Sequence, residues 1–452
     1  MRLLHYSDIE NAHDDPERIG RLAGLIDALG DDETVVCGTG DNLAPGVLPL
    51  VTRGGIALKF YDAVRPDLST FGNHDFDFGT DRLAEIVDRS PQTWLTANVL
   101  DGETPFAGAA PWTIQDFGDA RVGFVAVTDR SAANAHPDAN GLTFADPIAA
   151  TDQAIESMGG VDHVVVLSHL GRGDDRLAVA CDVDVVLGGH VHSERVARVA
   201  DTLLVRPGSG GETLLEIELP TRSVTRHDVD DGPLDPDLAA SYRSRLNDAG
   251  LDEVVGTVAD PIRRTEREAF RGESRVGNFV ADAYRWAAER ATGETAIGLQ
   301  NSGGIRTGPA LSEEVTVADL VSLVPFREPL VVLELTGEEL LETVREAADT
   351  TGFGEEDWWH GHVSGLRLVY DHDDDVLVDC YVDGDPVDPR ASYWLATTEF
   401  LLGTDEEFPT LSGVEPAYTL DVQYELLAAY ARDVGIDPKL ENRIVRNGLG
   451  DQ

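Results

Sequence analysis

Five short polar stretches within the first 192 residues each follow an apolar run: Ser7-Asp8-Ile9-Glu10-Asn11, Gly40-Asp41-Asn42, Gly72-Asn73-His74-Asp75-Phe76-Asp77, Ser168-His169 and Gly188-Gly189-His190-Val191-His192. Their side chains offer carboxylate oxygens, an amide oxygen and imidazole nitrogens, a mixed donor set that suits divalent cations better than a soft thiolate site does. Two such cations about 3.5 to 4 Å apart lower the pKa of a water and clamp a phosphoryl group, so the chemistry expected is two-metal hydrolysis. The candidate ligands are Asp8, Glu10, Asp41, Asn73, His169, His190 and His192. Residues i and i+2 of an extended chain share a face, so Asp8 with Glu10, and His190 with His192, are each expected to converge on one metal region. Asp41, in a Gly-Asp turn after a buried strand, is the candidate bridge. Asn73 should face the metals, which leaves His74 to point toward substrate, held by Asp77 three residues later as a donor of a proton or hydrogen bond. Asp75 is expected to be structural and to fix the loop; His5, His13 and His163 read as structural histidines.

These residues need elements to position them. The runs Leu3 to Tyr6, Val35 to Cys37, Val161 to Leu167 and Val183 to Leu187 are short and rich in Val or Leu, as buried strands are. Leu68 to Phe71 is a weaker example. The polar residues then lie at strand C-terminal ends, where open α/β sheets place their ligands. Helical spacing marks Asp15 to Leu29 and Thr80 to Asp88. Strand and helix alternate over residues 1–228. Residues 229–250 form a polar boundary with Pro233 and Pro236, followed by an exposed linker helix, Leu238 to Ala249, capped by Asp237 and ended by Gly250. A second α/β unit covers 251–446, with helices at Arg275 to Ala291 and Gly337 to Ala348 and strands at Pro329 to Leu335, Leu366 to Tyr370 and Tyr393 to Thr397.

A chain of 452 residues is too long for one core. Its 83 Asp plus Glu against 35 Lys plus Arg give a formal net charge of -48, spread over the whole length. At about 1 M salt the Debye length falls to roughly 3 Å and screens such self-repulsion, which points to a high-salt interior of the halophilic archaeal kind. With no phosphate-neutralising basic stripe, nucleic acid polymers and anionic membranes are disfavoured as partners, and no protein partner is evident. Cys37, Cys181 and Cys380 are too few and too scattered for a disulfide framework and read as small core residues. The first strand starts near residue 3 and no apolar run approaches about 18 residues, so the expectation is a soluble, cytoplasmic protein.

The five loops resemble the 5'-nucleotidase family of calcineurin-like metallophosphoesterases, whose pattern is Asp-x-His, Gly-Asp, Gly-Asn-His-Glu/Asp, a later His, and Gly-His-x-His. This chain departs from it in carrying Glu10 where the family usually has His. A carboxylate there hardens the site, which favours Mn²⁺ among the candidates Mn²⁺, Zn²⁺, Mg²⁺ and Co²⁺. The likeness runs through the second half. Asn301-Ser302-Gly303-Gly304-Ile305-Arg306 is similar to the family's Asn-x-Gly-Gly-Ile-Arg segment and ends in a guanidinium fork suited to phosphate oxygens. Val324-Pro325-Phe326 and Glu399-Phe400-Leu401-Leu402-Gly403-Thr404-Asp405 resemble its Pro-Phe and Phe-x-x-x-Gly-Gly-Asp segments, the latter one residue shorter here.

The resemblance implies an α/β protein with two domains: an N-terminal metallophosphoesterase domain of two packed β-sheets flanked by helices, and a C-terminal α/β substrate-binding domain. It implies that Asn301, Gly303 and Arg306 hold substrate, that Phe326 and Phe400 sandwich the base, and that Asp405 meets the ribose or base edge. Either Arg267 or Arg271 would add a phosphate contact, and one domain would rotate on the linker helix. The implied reaction is hydrolysis of nucleoside 5'-monophosphates. The alternatives are a 2',3'-cyclic-nucleotide phosphodiesterase or nucleotide-sugar hydrolase, and, in another class, a nucleotide sensor with weak turnover. Trp358-Trp359-His360-Gly361-His362 is expected to be an exposed or domain-facing loop rather than a third metal site.

Overall fold

Runs of Val, Leu and Ile bounded by Gly, Asp and Pro fold as short strands, and longer stretches with apolar residues three and four apart fold as helices that cover them. The computed structural model describes residues 1–117, 120–129, 141–348, 358–404 and 407–448. Two compact units result, Met1–Ala249 and Gly250–Gln452.

The first unit holds two six-stranded sheets. One runs, in spatial order, Ser223–Asp228, Thr213–Glu218, Arg2–Tyr6, Thr34–Thr39, Leu68–Thr70 and Thr93–Trp94. The other runs Arg195–Val199, Thr202–Arg206, Val185–Gly188, His163–His169, Ala120–Thr128 and Trp112–Phe117. Their central strands are parallel: Arg2–Tyr6 pairs with Thr34–Thr39, and His163–His169 pairs with both Ala120–Thr128 and Val185–Gly188. Leu3, Val35 and Leu215 from the first sheet share one core with Phe124, Val165 and Val185 from the second, so the sheets pack face to face. At about 25 cal/mol per Å² of apolar area removed from water, side chains at 0–1% exposure such as these supply most of the stability of this unit. Parallel pairing brings the C-terminal ends of neighbouring strands to the same edge. Asp8, Asp41, Asn73, His169 and His190 all lie at or just past such ends.

Helix Pro16–Leu29 begins at Asp15, whose carboxylate accepts from the backbone N–H of Glu17 and Arg18 at 3.0 and 3.1 Å. Its apolar face buries Ile19, Leu22, Ala23, Leu25 and Ile26. The helix expected to be exposed spans Pro236–Asp248 and belongs to this unit. Its cap is Asp235, not Asp237, because Pro236 occupies the first helical turn and Asp235 Oδ1 accepts from the N–H groups of Asp237 and Leu238, both at 3.0 Å. Leu238, Ala239 and Tyr242 are buried, and the Tyr242 ring stacks on that of His13 at 5.8 Å. Gly24 lets the segment approach: a Cβ there would lie 2.2 Å from the Pro233 carbonyl oxygen.

The second unit is built on a five-stranded sheet in the order Gly361–Ser364, Ala296–Asn301, Ser392–Thr398, Pro329–Thr336 and Tyr418–Val422. A four-stranded sheet, Asp385–Pro386, Val376–Val382, Leu366–Asp371 and Ile444–Asn447, adjoins its core, and Val254–Arg264 pairs with Gly308–Thr316. Helices Arg275–Thr292 and Gly337–Glu346 start at Ser274 and Thr336, each of which caps through its hydroxyl. The Trp358–His362 segment is not an exposed loop. Trp359, His360 and His362 are 1%, 2% and 0% exposed, because Gly361–Ser364 is a strand of the sheet and its flanking rings are drawn into the core. Cys37, Cys181 and Cys380 are buried free thiols. Among the described residues no helix is long and apolar enough to cross a membrane.

Candidate active site

The loops that follow the strands of the first unit bring the candidate ligands into two groups. Asp41, His169 and His190 each place one donor atom within 4.8 Å of the others, and so do Asp8, Glu10 and His192. Asn73 joins the first group, with Oδ1 2.8 Å from His190 Nδ1 and 3.3 Å from His169 Nε2. Glu10 is therefore in the site, 3.0 Å from His192 Nε2 and buried while His192 is exposed. His190 and His192 separate into different groups, contrary to the shared-face expectation. The cause is local: His190 has φ 72° and the Val191 N–H donates to the Gly189 carbonyl at 2.9 Å, so the chain turns and the two-residue period of an extended strand does not apply. Asp8 and Glu10 do converge, but through a 3-10 turn at Glu10–Asp14.

Asp8, Glu10, Asp41 and His190 all hold left-handed backbone, with φ of 48°, 41°, 52° and 72°. Non-glycine residues adopt this at a cost that surrounding structure must offset, and such strain clusters at binding sites. Asp75 supplies the main restraint. Its buried carboxylate accepts from four backbone N–H groups, those of Gly72 (2.7 Å), Asp41 (3.1 Å), Asn42 (3.0 Å) and Leu43 (3.0 Å), and so ties the Asp41 loop to the Asn73 loop. Gly72 is needed where these loops meet, since a Cβ there would lie 2.1 Å from Asp41 Oδ1. The His169 ring is oriented by Nδ1–H donating to the Thr39 carbonyl at 2.7 Å and by Nε2, which lies 3.1 Å from Asp41 Oδ2. Asp8 accepts from the Ser7 hydroxyl and from the His190 N–H at 3.0 Å.

The charge balance fits divalent cations. Burial, together with the neighbouring Asp41 and Glu10 carboxylates, pushes the Asp8 carboxyl up to about 7, although His169 opposes the shift. Burial would lower the His169 imidazole, but Asp41 and Asp8 hold it up at about 10. Three clustered acids thus pull protons into the site, and the same pull, with carboxylate, imidazole and amide donors, would hold divalent ions in place of those protons. Asp8, Glu10 and His192 could hold one ion, and Asp41, His169 and His190, with Asn73 beside them, another.

His74 sits beside this site, with its N–H on Asp41 Oδ1 at 2.8 Å and its ring Nδ1 3.1 Å from Asp77 Oδ2. Burial would lower its imidazole, but the bond and charge of Asp77, aided by Asp41 and Glu10, raise it to about 9. His5 and His13 serve the fold: His5 Nε2 meets Thr39 Oγ1 at 2.8 Å and His13 Nε2 meets the Asn42 carbonyl at 2.9 Å. Sequence reasoning missed the pair behind His169, where buried Asp174 takes the Ser168 hydroxyl at 2.6 Å and Arg206 at 3.1 Å. Nothing in the spacing of these two residues announces a contact made across the sheet.

In the second unit, Asn301, Gly303, Phe326 and Phe400 line one cavity of about 170 Å³. Phe400 is 44% exposed, which removes it from the core. The Arg306 guanidinium lies 6.0 Å from the Phe326 ring centroid. Arg267 and Arg271 both line a different cavity, with Arg263 and Arg275. His360, in the segment not expected to be a third metal site, has a carboxylate partner in Glu407, 2.7 Å from its Nε2. Asp405 lies outside the described residues.

Residues 1–194 match the calcineurin-like phosphoesterase family, and residues 254–413 match the 5'-nucleotidase C-terminal domain. The chain belongs to the metal-dependent calcineurin-like phosphoesterases that carry this C-terminal domain. Among relatives, it is 27% identical over 381 residues to Endonuclease YhcR of Bacillus subtilis (strain 168), covering 74% of this chain and 30% of YhcR. It is 24% identical over 435 residues to 5'-nucleotidase of Homo sapiens, covering 82% of this chain and 75% of the human protein. In structure it is similar to the 5'-nucleotidase precursor from Thermus thermophilus, with a TM-score of 0.75 at 23% identity and 99% of each chain covered. The chain thus spans less than a third of YhcR's length.

Proposed function

We propose that the protein is a two-metal phosphomonoesterase that hydrolyses nucleoside 5'-monophosphates to nucleoside and phosphate. The observation that carries this reading is the pair of carboxylate–histidine groups, Asp8–Glu10–His192 and Asp41–His169–His190, each within 4.8 Å. When bound there, divalent cations would activate a water for in-line attack and neutralise charge on the phosphoryl oxygens. His74, held by Asp77, donates a hydrogen bond or proton toward the leaving oxygen, and its raised pKa keeps the ring protonated for that role. Asp75 keeps Asp41 and Asn73 in register without touching substrate. In the second unit, Phe326 and Phe400 offer flat π faces to a base, and Arg306 offers a guanidinium to phosphate.

The test is phosphate release from AMP, UMP, 2',3'-cyclic nucleotides, UDP-glucose and p-nitrophenyl phosphate in molar KCl with Mn²⁺. Release from the 5'-monophosphates, abolished by a chelator, is expected. A preference for the cyclic diesters would instead make the protein a phosphodiesterase, a reading in keeping with its likeness to a protein named as an endonuclease. No release from any of them, with AMP still bound, would leave a nucleotide-binding protein without turnover.

A further inference from the structure

The cavity lined by Phe326 and Phe400 also has a polar wall, several of whose groups find no partner among the described residues. Gln423 and Thr398 line it at 1% and 3% exposure. Neither Gln423 Nε2 nor Thr398 Oγ1 has a hydrogen-bond partner, although the other end of the Gln423 amide meets the Tyr284 hydroxyl at 2.7 Å. Glu328 lines the same cavity. Its main-chain carbonyl accepts from the Gln423 N–H at 3.2 Å, but its carboxylate has no hydrogen-bond donor among the described residues. The second acid of the cavity, Glu407, is already engaged by the Asn301 amide and by His360, both at 2.7 Å. The Glu328 side chain is half-buried, and no protein donor among the described residues answers its carboxylate. Burial, with Glu399 and Glu407 nearby, raises the Glu328 carboxyl to about 7, the response expected of an acid whose compensating donors are missing.

We propose that Glu328 sets the base preference of this cavity, its carboxylate accepting the adjacent N1–H and N2–H donors of guanine. The inference rests on the nucleotide reading above. An ionised carboxylate only accepts, so it matches the base edge with two neighbouring donors. Adenine and cytosine place one amino donor beside a ring-nitrogen acceptor, and uracil flanks its single N–H with two carbonyls. Each of these sets a lone pair against the carboxylate. Guanine is the one standard base whose edge satisfies both oxygens. The unpartnered Thr398 hydroxyl and Gln423 amide end remain for the rest of the ring.

The experiment measures binding of guanosine and adenosine to the full chain by calorimetry, and kcat/KM for GMP and AMP with Mn²⁺, for the native protein and for Glu328→Gln, at a pH well above 7. Guanosine is expected to bind at least about 10-fold more tightly than adenosine, with the same ratio in kcat/KM. A glutamine offers one acceptor beside one donor, which matches adenine, so Glu328→Gln is expected to reverse the order. A merely structural role would weaken both nucleosides together. Equal binding of the two nucleosides by the native protein, or no binding of either, overturns the inference. If AMP and GMP release phosphate equally, the inference fails while the proposed function stands; guanosine selectivity without phosphate release has the opposite meaning.

Discussion

Asp75 offers the sharpest test of how the site is built, because its effect is worked from contacts made entirely within the protein. Its Oδ1 accepts from the N–H groups of Asn42 and Leu43, and its Oδ2 from those of Gly72 and Asp41, all buried. In Asp75→Asn one oxygen becomes an NH₂ group of nearly the same size. Whichever way the amide turns, two backbone donors then face a donor. A buried donor left unsatisfied costs about 1–3 kcal/mol, so the expected destabilisation is roughly 2–6 kcal/mol. That is a large part of the roughly 5–15 kcal/mol typical of a domain. The assay is urea unfolding at fixed KCl, comparing Asp75→Asn with Asp77→Asn, whose carboxylate engages a side chain at a half-exposed position. Because the same four bonds hold the Asp41 and Asn73 loops, Mn²⁺ affinity read by calorimetry below the unfolding transition should fall as well. A loss of stability under about 1 kcal/mol with an unchanged m-value would refute the reasoning, since the four bonds could then not be holding the strained Asp41 backbone.

Replacing His74 by Ala should lower kcat by about 10²–10⁴-fold while Mn²⁺ binding is retained, and Asp77→Asn should cost less; steady-state kinetics with parallel metal titration decides this. Glu10→Ala should weaken one of two bound metals, seen as a drop in stoichiometry or affinity by metal analysis after dialysis, whereas two tightly held ions would remove Glu10 from the ligand set. Glu10→His is expected to move metal preference from Mn²⁺ toward Zn²⁺. Stability should also depend on Glu328. Burial, then Glu399 and Glu407, raise its carboxyl from 4.5 to about 7, so the folded state holds a proton that the unfolded chain releases. Its favourable contribution is complete below pH 4.5 and is lost as pH rises through about 7. Glu328→Gln should therefore match the native protein near pH 4.5 and exceed it above pH 7 by up to about 3 kcal/mol, read from urea midpoints.

Much of this site was legible along the chain. Buried parallel strands need near-continuous Val and Leu, and the turns that follow them need Gly, so both the strands and the polar residues at their ends announce themselves locally. Asp8, Asp41, Asn73, His169, His190 and His192 stood out for that reason, and so did the helix expected at Asp15 to Leu29, which forms at Pro16–Leu29. Glu10 illustrates the limit. It stands where the family usually has His, and only the 3-10 turn after Asp8 carries its carboxylate to 3.0 Å from His192. The separation of His190 from His192 likewise depends on one left-handed residue, which a two-residue spacing does not reveal.

Tertiary structure alone decided the rest. Docking of Pro236–Asp248 through Tyr242 onto His13 joins residues 229 apart, and the Asp174–Arg206 pair behind His169 spans 32. The Trp359–His362 segment looks polar in sequence, yet sheet pairing buries it and gives His360 its partner Glu407. Glu328 carried no motif, and a carboxylate with no donor among the described residues became visible only when the cavity formed around it. The physical reason is common to all of these. Propensity and hydrophobic period act over a few residues and write themselves into the chain, whereas a buried charge or hydrogen bond is defined by a partner brought close only by packing.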